Sequence, residues 1–206
     1  GNSYAPTAAG AARPTYKTSI VNGNPVYRFD GGDKSDYAGG ALGILNNVTA
    51  CTVIAVVNFT SFAAARDIWR SSQGDEAGKE RFNPRVTTSP LWRIAHTRLD
   101  AEAADTVTGT ATPVASTWYI LHTEVNWSTG AFKSWVNGTA DINTTDGTTG
   151  STEAANALNS QVGGDNAAAN LLGDIGEIIV ATSILSAAQR DAIKNGLAAT
   201  YGITVA

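Results

Sequence analysis

The segment from Trp118 to Val136 constrains the fold of this chain most strongly, because it predicts a complete β-hairpin. Side chains of a β-strand point alternately to the two faces of a sheet, and Trp118 to Trp127 alternates in this way. Ser128-Thr129-Gly130 has the composition of a tight connection to a returning strand, Ala131 to Val136. The two predicted faces of the first strand carry Tyr119, Leu121, Val125 and Trp127 on one side and His122, Glu124 and Asn126 on the other. Such a hairpin favours an antiparallel β fold.

Shorter segments of the same kind occur along most of the chain, separated by turns rich in glycine and asparagine. Thr52 to Asn58 is apolar at nearly every position, which indicates a central strand covered on both faces. Further strands are predicted at residues 26–29, 67–70, 91–98 and 175–182, and Asn137-Gly138 is predicted to close a turn. The chain therefore reads as an all-β protein built from many short strands.

Three segments are predicted to lie outside the strands. Arg66 to Arg85 is dense in charged side chains of both signs, so that beyond its first short strand we expect a long exposed loop. Residues 139–157 consist almost entirely of Thr, Gly, Ala, Asn and Asp, which is also typical of a loop. Residues 1–19 are predicted to be an extended N-terminal arm, and residues 20–206 a single domain.

The C-terminal segment predicts the one helix of the chain. Ser186 and Gln189 have the spacing of a capping box, in which each side chain bonds the other residue's backbone amide. Ile193, Leu197 and Tyr201 follow at steps of four, which places them on one apolar stripe. Gly202 is suited to the left-handed conformation that ends many helices. We expect this short helix to cover an edge or a face of a β-sandwich.

Composition excludes several classes of protein. The chain has 206 residues, 43% of them hydrophobic, which is enough for a full core. Its net charge of -4 argues against nucleic-acid binding, which needs a basic surface. A single cysteine, Cys51, excludes an intrachain disulfide and a cysteine-rich zinc site. No apolar run reaches the ~20 residues of a membrane span, so we expect no membrane insertion.

Three groups of motifs resemble the concanavalin A-like lectin/glucanase superfamily, in its laminin-G-like (LamG) branch. They are Arg13 to Tyr16 with Val21 to Gly31, the hairpin Thr117 to Gly138, and Gly173 to Val180 followed by the helix to Ile203. The resemblance spans most of the chain and implies an antiparallel jelly-roll β-sandwich with one short C-terminal helix. It does not select a function, because this fold hosts binding proteins, enzymes and structural modules.

The start of the chain differs from the sequence pattern of the LamG branch. Members of the branch have a further strand upstream of the Arg-Pro pair, and Gly1-Asn2 is similar to the turn that follows it. The chain has no methionine, so we expect Gly1 to be a processed or cut end. Either the upstream strand was lost, or a neighbouring molecule supplies it, or this protein does not need it. An open sandwich edge would favour association by strand addition, either as a homo-oligomer or with another protein.

Catalytic motifs are missing from the sequence. Glycosidases of the superfamily carry a Glu-x-Asp-x-x-Glu cluster on one strand, where an acid and a nucleophile flank the scissile bond, and this chain does not contain it. Asp174 and Glu177 are the nearest pair, and three residues apart on a regular strand they should face opposite sides. No Gly-x-Ser-x-Gly elbow accompanies His96 or His122. We expect no enzymatic activity and no required cofactor.

The sequence allows a calcium site in either of two turns. Calcium takes six to eight oxygen ligands, often from loops dense in Asp and Asn. One candidate set is Asp30, Asp33 and Asp36, and the other is Asp165, Asn166 and Asp174. The alternative is that these residues simply stabilise turns through side-chain hydrogen bonds to the backbone.

Glycan binding is the leading functional hypothesis. Sugars are recognised by aromatic faces combined with polar side chains at the rim of a cleft. The candidate residues are Trp92, Trp127, Trp135, Asn126, Glu124 and Arg93. The alternative for each tryptophan is a place in the core of the sandwich.

These observations favour a non-catalytic lectin-like recognition module that binds a carbohydrate or a cell-surface glycan. We expect it to lie on a phage particle or on a secreted bacterial protein, and thus to be extracellular or at a virion surface. The second hypothesis is a structural virion decoration or appendage protein that packs on a lattice of virion proteins through its arm and sandwich edges. A glycoside hydrolase comes third, because the acidic cluster is missing.

Overall fold

The structure is a computed structural model that describes residues 13–33, 35–37, 44–73, 80–99, 102–145, 147, 149–153, 158–164 and 169–206. Its strands are β1 Thr15–Val21, β2 Asn24–Asp30, β3 Ser35–Tyr37, β4 Ala50–Phe59, β5 Arg66–Asp67, β6 Trp69–Gln73, β7 Glu80–Val86, β8 Trp92–His96, β9 Asp105–Thr108, β10 Trp118–Asn126, β11 Ala131–Val136, β12 Thr139–Thr145, β13 Leu158–Val162 and β14 Leu172–Ala181. One helix, α1 Ala187–Tyr201, follows. The all-β prediction with one short C-terminal helix is confirmed.

The strands form two antiparallel sheets that pack face to face. The first sheet has the order β1-β2-β14-β4-β10-β11-β12, and the second has the order β3-β13-β6-β7-β8-β9, with β5 paired to β7. Sequence neighbours are often not sheet neighbours, since β4 lies between β14 and β10. This connectivity and the similar solved structures described below identify a jelly-roll β-sandwich.

Strand β4 is the centre of the first sheet, as its apolar sequence predicts. All ten of its residues are buried. Alternate residues serve two different cores: Ala55 and Val57 face the second sheet, whereas Ile54 and Val56 face the helix side. A strand with both faces covered does not need the polar alternation of a half-exposed strand.

Helix α1 covers part of the outer face of the first sheet. The Ser186 side chain accepts a hydrogen bond from the Gln189 amide, and the Gln189 side chain accepts one from the Ser186 amide. Gly202 ends the helix with φ 66° in the left-handed region. Leu197 and Tyr201 are buried against Ile54, Val56 and Ile120 of the sheet, with Val21 and Val26 in the same cluster. The predicted capping box, stripe and helix end are all confirmed.

Two of the predicted loops are wrong in part. Within the described residues of 66–85, strands β5, β6 and β7 take up most of the segment, and Arg70 and Arg81 are buried rather than exposed. Residues 139–145 form strand β12, which pairs with β11 along its length. In both cases polar side chains occupy regular strands whose backbone hydrogen bonds are satisfied by neighbouring strands.

The predicted N-terminal arm includes residues that belong to the sheet. Strand β1 starts at Thr15 and pairs with β2 in register Tyr16 to Tyr27. Residues 1–12 lie outside the described residues. Within the part of the chain that the structure describes, no helix combines the length and the apolar character needed to cross a membrane.

Candidate functional site: a groove between the helix and the first sheet

The outer face of strands β10 and β11 forms the floor of a groove beside helix α1. In the antiparallel register of the two strands His122 lies opposite Trp135, and Glu124 lies opposite Lys133. Residues directly opposite each other have their β-carbons about 5 Å apart, so these four side chains form one continuous surface. We call this surface the helix-side groove.

Two neighbouring clefts make up the helix-side groove. The larger has an empty volume of about 440 Å³ including its open mouth, and the smaller has about 350 Å³. Lining residues of the larger cleft are Ile54, Ile120, His122, Trp135, Gly138, Arg190, Asp191 and Lys194. The smaller cleft is lined by Glu124, Asn126, Thr129, Ala131, Lys133 and Ile184.

Trp135 forms one wall of the larger cleft. The guanidinium carbon of Arg190 lies 4.2 Å from the centroid of the indole ring, in cation–π contact. The imidazole of His122 meets the same indole edge-on, with ring centroids 4.9 Å apart. Trp135 is only half-buried, so part of its ring remains accessible from the cleft. The wall therefore combines an apolar ring with a fixed positive charge.

A buried pair of polar side chains joins the two clefts. His122 Nε2 and Glu124 Oε1 are 2.7 Å apart, and the two residues are 5% and 3% exposed. Glu124 lines the smaller cleft and His122 lines the larger one. A buried carboxylate needs hydrogen-bond partners, and His122 supplies one from the same strand. The groove floor is thus apolar at Ile54 and Ile120 and polar beside them.

The turn Asn137-Gly138 closes one end of the groove. Both residues have positive φ, 50° and 88°, as the predicted hairpin turn requires. The Asn137 side chain accepts a hydrogen bond from the Ile120 amide at 2.8 Å. A β-carbon on Gly138 would lie 2.7 Å from the Ala206 carbonyl oxygen and 2.9 Å from the Lys194 side chain. Glycine at this position therefore lets Lys194 and the last residues pack against the turn.

Three predicted glycan-binding residues come together in the helix-side groove, and three do not. Glu124, Asn126 and Trp135 line it. Trp92 and Trp127 are 1% and 0% exposed and belong to the core between the sheets. Trp92 packs edge-on against Phe59 and Tyr119, and the Trp127 indole donates to His96 Nδ1 at 2.9 Å. Neither ring offers a face to a ligand.

Arg93 lies on the other side of the molecule. It is on β8 in the second sheet, directly opposite Arg85 of β7.

Trp135 does not offer both faces of its ring to a ligand, because Arg190 covers one of them. The alternation of the sequence identifies the two faces of a strand but does not say which face meets solvent.

The described residues of the two calcium candidates are engaged in other contacts. Asp30 accepts a hydrogen bond from the Gly32 amide, and Asp33 accepts one from the Asp30 amide. Burial raises the pKa of the Asp33 carboxyl, which disfavours the ionised form that a cation needs. Asp174 accepts two hydrogen bonds from Arg28, at 2.7 and 2.9 Å.

The rest of those two candidate sets lies outside the described residues: the Asp36 side chain, Asp165 and Asn166. Among the described residues no group of three or more His, Cys, Asp or Glu side chains is arranged to hold a metal ion. The turn-forming interpretation therefore accounts for Asp30 and Asp33.

The expectation that Asp174 and Glu177 face opposite sides is wrong. A β-bulge lies between Ile175 and Glu177, so that Asp174 pairs with Asn58 and Glu177 pairs with Val56. Residues 56 and 58 share a face, and the two carboxylates therefore share the outer face of the first sheet. Asp174 is bound to Arg28, and Glu177 Oε2 lies 3.5 Å from the Tyr201 hydroxyl.

Tyr201 and Cys51 show how burial affects the remaining reactive groups. Burial, together with the nearby Glu177 carboxylate, raises the pKa of the Tyr201 hydroxyl. That hydroxyl donates to the Gly176 carbonyl at 3.0 Å, in the bulge itself. Burial also raises the pKa of the Cys51 thiol, which lies in the core with no exposed surface. The Tyr201 hydrogen bond and the buried Cys51 side chain both stabilise the fold.

Sequence reasoning missed the charged side of the groove. Arg190 and Lys194 are one helical turn apart on α1, beside the apolar stripe that begins at Ile193. The stripe predicted which face of the helix is buried, but nothing in the pattern predicted that Trp135 would lie beneath Arg190. The observable signal was a pair of cations at i and i+4 flanking the stripe.

Known proteins were compared with the chain at three levels. No family model matches it, and no curated protein matches it in sequence. Solved structures do: a sialidase carbohydrate-binding module (CBM40) of Ruminococcus gnavus, bound to α2,3-sialyllactose, has a TM-score of 0.62 at 16% identity, covering 75% of this chain and 86% of that one.

Two further structures have similar scores over parts of larger proteins. A botulinum neurotoxin type C structure, described by its interaction with two ganglioside molecules, has a TM-score of 0.62 at 9% identity, covering 90% of this chain and 45% of that one. Trypanosoma rangeli sialidase has a TM-score of 0.61 at 11% identity, covering 82% of this chain and 27% of that one. At these identities the comparisons show the fold alone, a jelly-roll β-sandwich.

Proposed function

We propose that this protein is a non-catalytic glycan-binding module that holds its ligand in the helix-side groove. The observation that carries the proposal is the composition of the larger cleft. Ile54, Ile120 and Trp135 supply apolar surface, while Arg190 supplies hydrogen-bond donors and the His122 ring adds a polar group beside them. A pyranose ring has an apolar face and a rim of hydroxyl groups, and it needs both kinds of surface together.

The smaller cleft extends the groove for a longer ligand. Asn126, Glu124 and Lys133 bring an amide, a carboxylate and an ammonium group to its lining. Asn126 already accepts hydrogen bonds from the Ser128 amide and hydroxyl at 3.0 and 2.6 Å, which fixes its side chain. A second sugar unit could therefore bind without first ordering that amide, and this lowers the entropic cost of binding.

The fold supports the proposal in general terms. The similar Ruminococcus gnavus structure is a carbohydrate-binding module and carries a sialylated sugar, and the neurotoxin structure is described by ganglioside binding. By extension we propose membership in the LamG branch and an extracellular setting, on a secreted bacterial protein or a phage particle. The setting is tested by the neighbours of the coding region, where capsid or tail genes would support the virion.

A glycan array probed with the labelled protein tests the proposed function. We expect selective binding to a subset of glycans, and Trp135→Ala should weaken it at least about tenfold, since it removes the aromatic wall. Tyr16→Ala is the matched control, because Tyr16 is an exposed aromatic on β1, five strands from β11. Failure to bind any glycan, with and without calcium, would refute the proposal.

A second candidate function is structural packing through the edge of the sandwich. Tyr16 and Tyr27 are 56% and 51% exposed, and their rings meet edge-on at 5.6 Å, Tyr16 on the edge strand β1 and Tyr27 on its neighbour β2. Exposed aromatic pairs on an edge strand favour association with another copy of the chain. Analytical ultracentrifugation tests it: a concentration-dependent oligomer that Tyr16→Ser with Tyr27→Ser disrupts supports packing, and a strict monomer refutes it.

A further inference from the structure

Arg190 differs from the other described arginines at the surface of the first sheet. Arg28 forms two hydrogen bonds with Asp174. Arg190, in contrast, has no carboxylate within ion-pair distance among the residues that the structure describes, although it is half-buried at the mouth of the larger cleft. Its contact is with the Trp135 ring. A partly desolvated guanidinium without a counter-charge favours an anion at its free edge.

The cation–π contact leaves the donors of Arg190 available. In such a contact the ring attracts the flat face of the guanidinium, while the N–H groups lie around the edge of that plane. Those N–H groups form a rigid fork that matches the two oxygens of a carboxylate. Trp135 thus holds Arg190 at the cleft without satisfying its hydrogen-bonding capacity.

The charges along the groove give a ligand a preferred direction. In the larger cleft Lys194 already donates to the Ala206 carbonyl oxygen and lies 3.9 Å from the exposed Asp191 carboxylate, so Arg190 is the cation left for a ligand. The smaller cleft contains the buried Glu124 side chain together with Lys133, which lies directly opposite it, so its acidic and basic groups offset each other. An anionic group is therefore attracted most strongly at the Arg190 end of the groove, although the whole chain has a net charge of -4.

We propose that the helix-side groove selects sugars that carry a carboxylate, and that Arg190 binds this carboxylate in the larger cleft. The inference rests on the proposed glycan-binding function and adds the class of ligand. The apolar face of the acidic sugar packs on Ile54, Ile120 and the accessible part of Trp135. Neutral sugar units extend toward Asn126 and Glu124, which accept hydrogen bonds from hydroxyl groups.

Matched pairs of ligands test the inference by isothermal titration calorimetry and by NMR titration. Methyl glucuronide and methyl glucoside differ only at the carboxylate, and 3′-sialyllactose extends lactose by one acidic sugar. In at least one pair the acidic member should bind about tenfold more tightly or better, as expected for one charge-assisted contact. Raising the salt concentration should weaken the acidic member and leave the neutral one unchanged.

Variants of the protein assign the effect to one residue. Arg190→Gln should reduce the affinity for the acidic sugar to that of its neutral partner, and Arg190→Lys should retain part of the preference, because lysine keeps the charge and loses the fork. Lys17→Gln is the control, since it makes the same change of charge on β1, five strands from β11. It should leave both affinities unchanged.

The outcomes separate the inference from the function beneath it. If neutral sugars bind as well as acidic ones, and Trp135→Ala weakens the binding of both, the inference is wrong and the glycan-binding function stands. An acidic preference that survives Arg190→Gln would also overturn the inference. If acetate binds as tightly as methyl glucuronide, the groove binds an anion rather than a sugar, and the inference is wrong. If no sugar binds, both proposals are wrong.

Discussion

The outer faces of the two sheets are covered in opposite ways. On the first sheet, helix α1 buries an apolar cluster that includes Ile54, Val56 and Ile120. On the second sheet, the side chains of Arg70, Arg81, Asn83 and Asp67 are buried instead, each at most 1% exposed. The Asp67 carboxylate is the centre of that polar face, since it lies 3.1 Å from Arg85 and 3.2 Å from the Asn83 amide.

This difference shows two ways of covering a sheet, with different consequences for a ligand. An apolar face is stabilised by burial, which has no directional requirement, so a groove can remain at the edge of the helix where the cover ends. A buried polar face is stable only when its hydrogen bonds and charges are paired, which fixes the position of every side chain. The helix-covered face therefore has room for a site, whereas Asp67 and Arg85 on the other face stabilise the fold.

Breaking the polar face should have the largest effect on stability. Asp67→Ala leaves Arg85 and Asn83 without the carboxylate that they share, and loss of one partner of a buried ion pair costs about 3 to 5 kcal/mol. Chemical denaturation measures the free energy of unfolding. Asp191→Ala, at an exposed acid on α1, is the control, and we expect a change below about 0.5 kcal/mol. A loss below about 1 kcal/mol for Asp67→Ala would contradict the comparison.

Acid should destabilise the protein through His96, which is on β8 and packs against Trp127 and Phe132 between the two sheets. Burial lowers the pKa of His96 to about 4, and the nearby Asp105 and Glu102 only partly oppose this. The unfolded chain binds the proton near pH 6.5, so the unfolded state takes up more protons as the pH falls. Stability is therefore full above pH 6.5 and falls toward pH 4, by up to about 3 kcal/mol.

His96→Asn separates this residue from the other titrating groups. The variant keeps a hydrogen-bond acceptor near the Trp127 indole but has no group that titrates in this range. Its unfolding free energy should be lower at neutral pH and should change less between pH 6.5 and pH 4. An unchanged pH slope would show that the acid sensitivity comes from other residues.

Loosening the helix should cost less and should act on the groove alone. Ser186→Ala removes the oxygen that accepts from the Gln189 amide, and loss of such a cap costs about 1 kcal/mol. Hydrogen exchange should increase for amides of the first turn of α1 and remain unchanged for β7 and β8. Ser186→Asp, which keeps a capping oxygen, is the conservative control.

The smallest effect on stability is expected for Arg190. Arg190→Gln removes a cation–π contact at a half-buried position, worth about 0.5 to 1 kcal/mol. Thermal unfolding measures the change. A loss above about 2 kcal/mol would indicate that Arg190 is primarily a structural residue, and would weaken its assignment to ligand binding.

The parts of the fold that depend on apolar pattern and local chemistry were predictable from sequence. The apolar strand around Val53, the hairpin after Trp118 and the cap at Ser186 all follow from side-chain periodicity and turn composition. Strand β12 was missed because Thr139 to Thr145 has little apolar content, and its place depends on pairing with β11. Such pairing is a tertiary effect that no local window contains.

The candidate site was predictable only in part, for a related reason. Glu124 and Asn126 were placed on one face because strand alternation is local, but the sequence did not distinguish Trp135, which lies beside them, from the buried Trp92 and Trp127. Arg190 comes from an element 55 residues later in the chain than Trp135, and its contact depends on where the helix packs. The charged segment from Arg66 was misjudged because charge was equated with exposure, although Asp67 and Arg85 neutralise each other.

The bulge at Gly176 sets which side chains of strand β14 point inward and which point outward. Strand β14 changes its inward and outward positions at that residue, and a β-carbon there would lie 2.7 Å from the Tyr201 ring. If Gly176 took a regular place in the ladder instead of bulging out, one half of the strand would change faces, so that Asp174 would turn into the apolar interior or Ile178 would turn out of it. One residue without a side chain thus keeps the apolar residues on both sides of the bulge pointing into the core and the acidic residues pointing out of it.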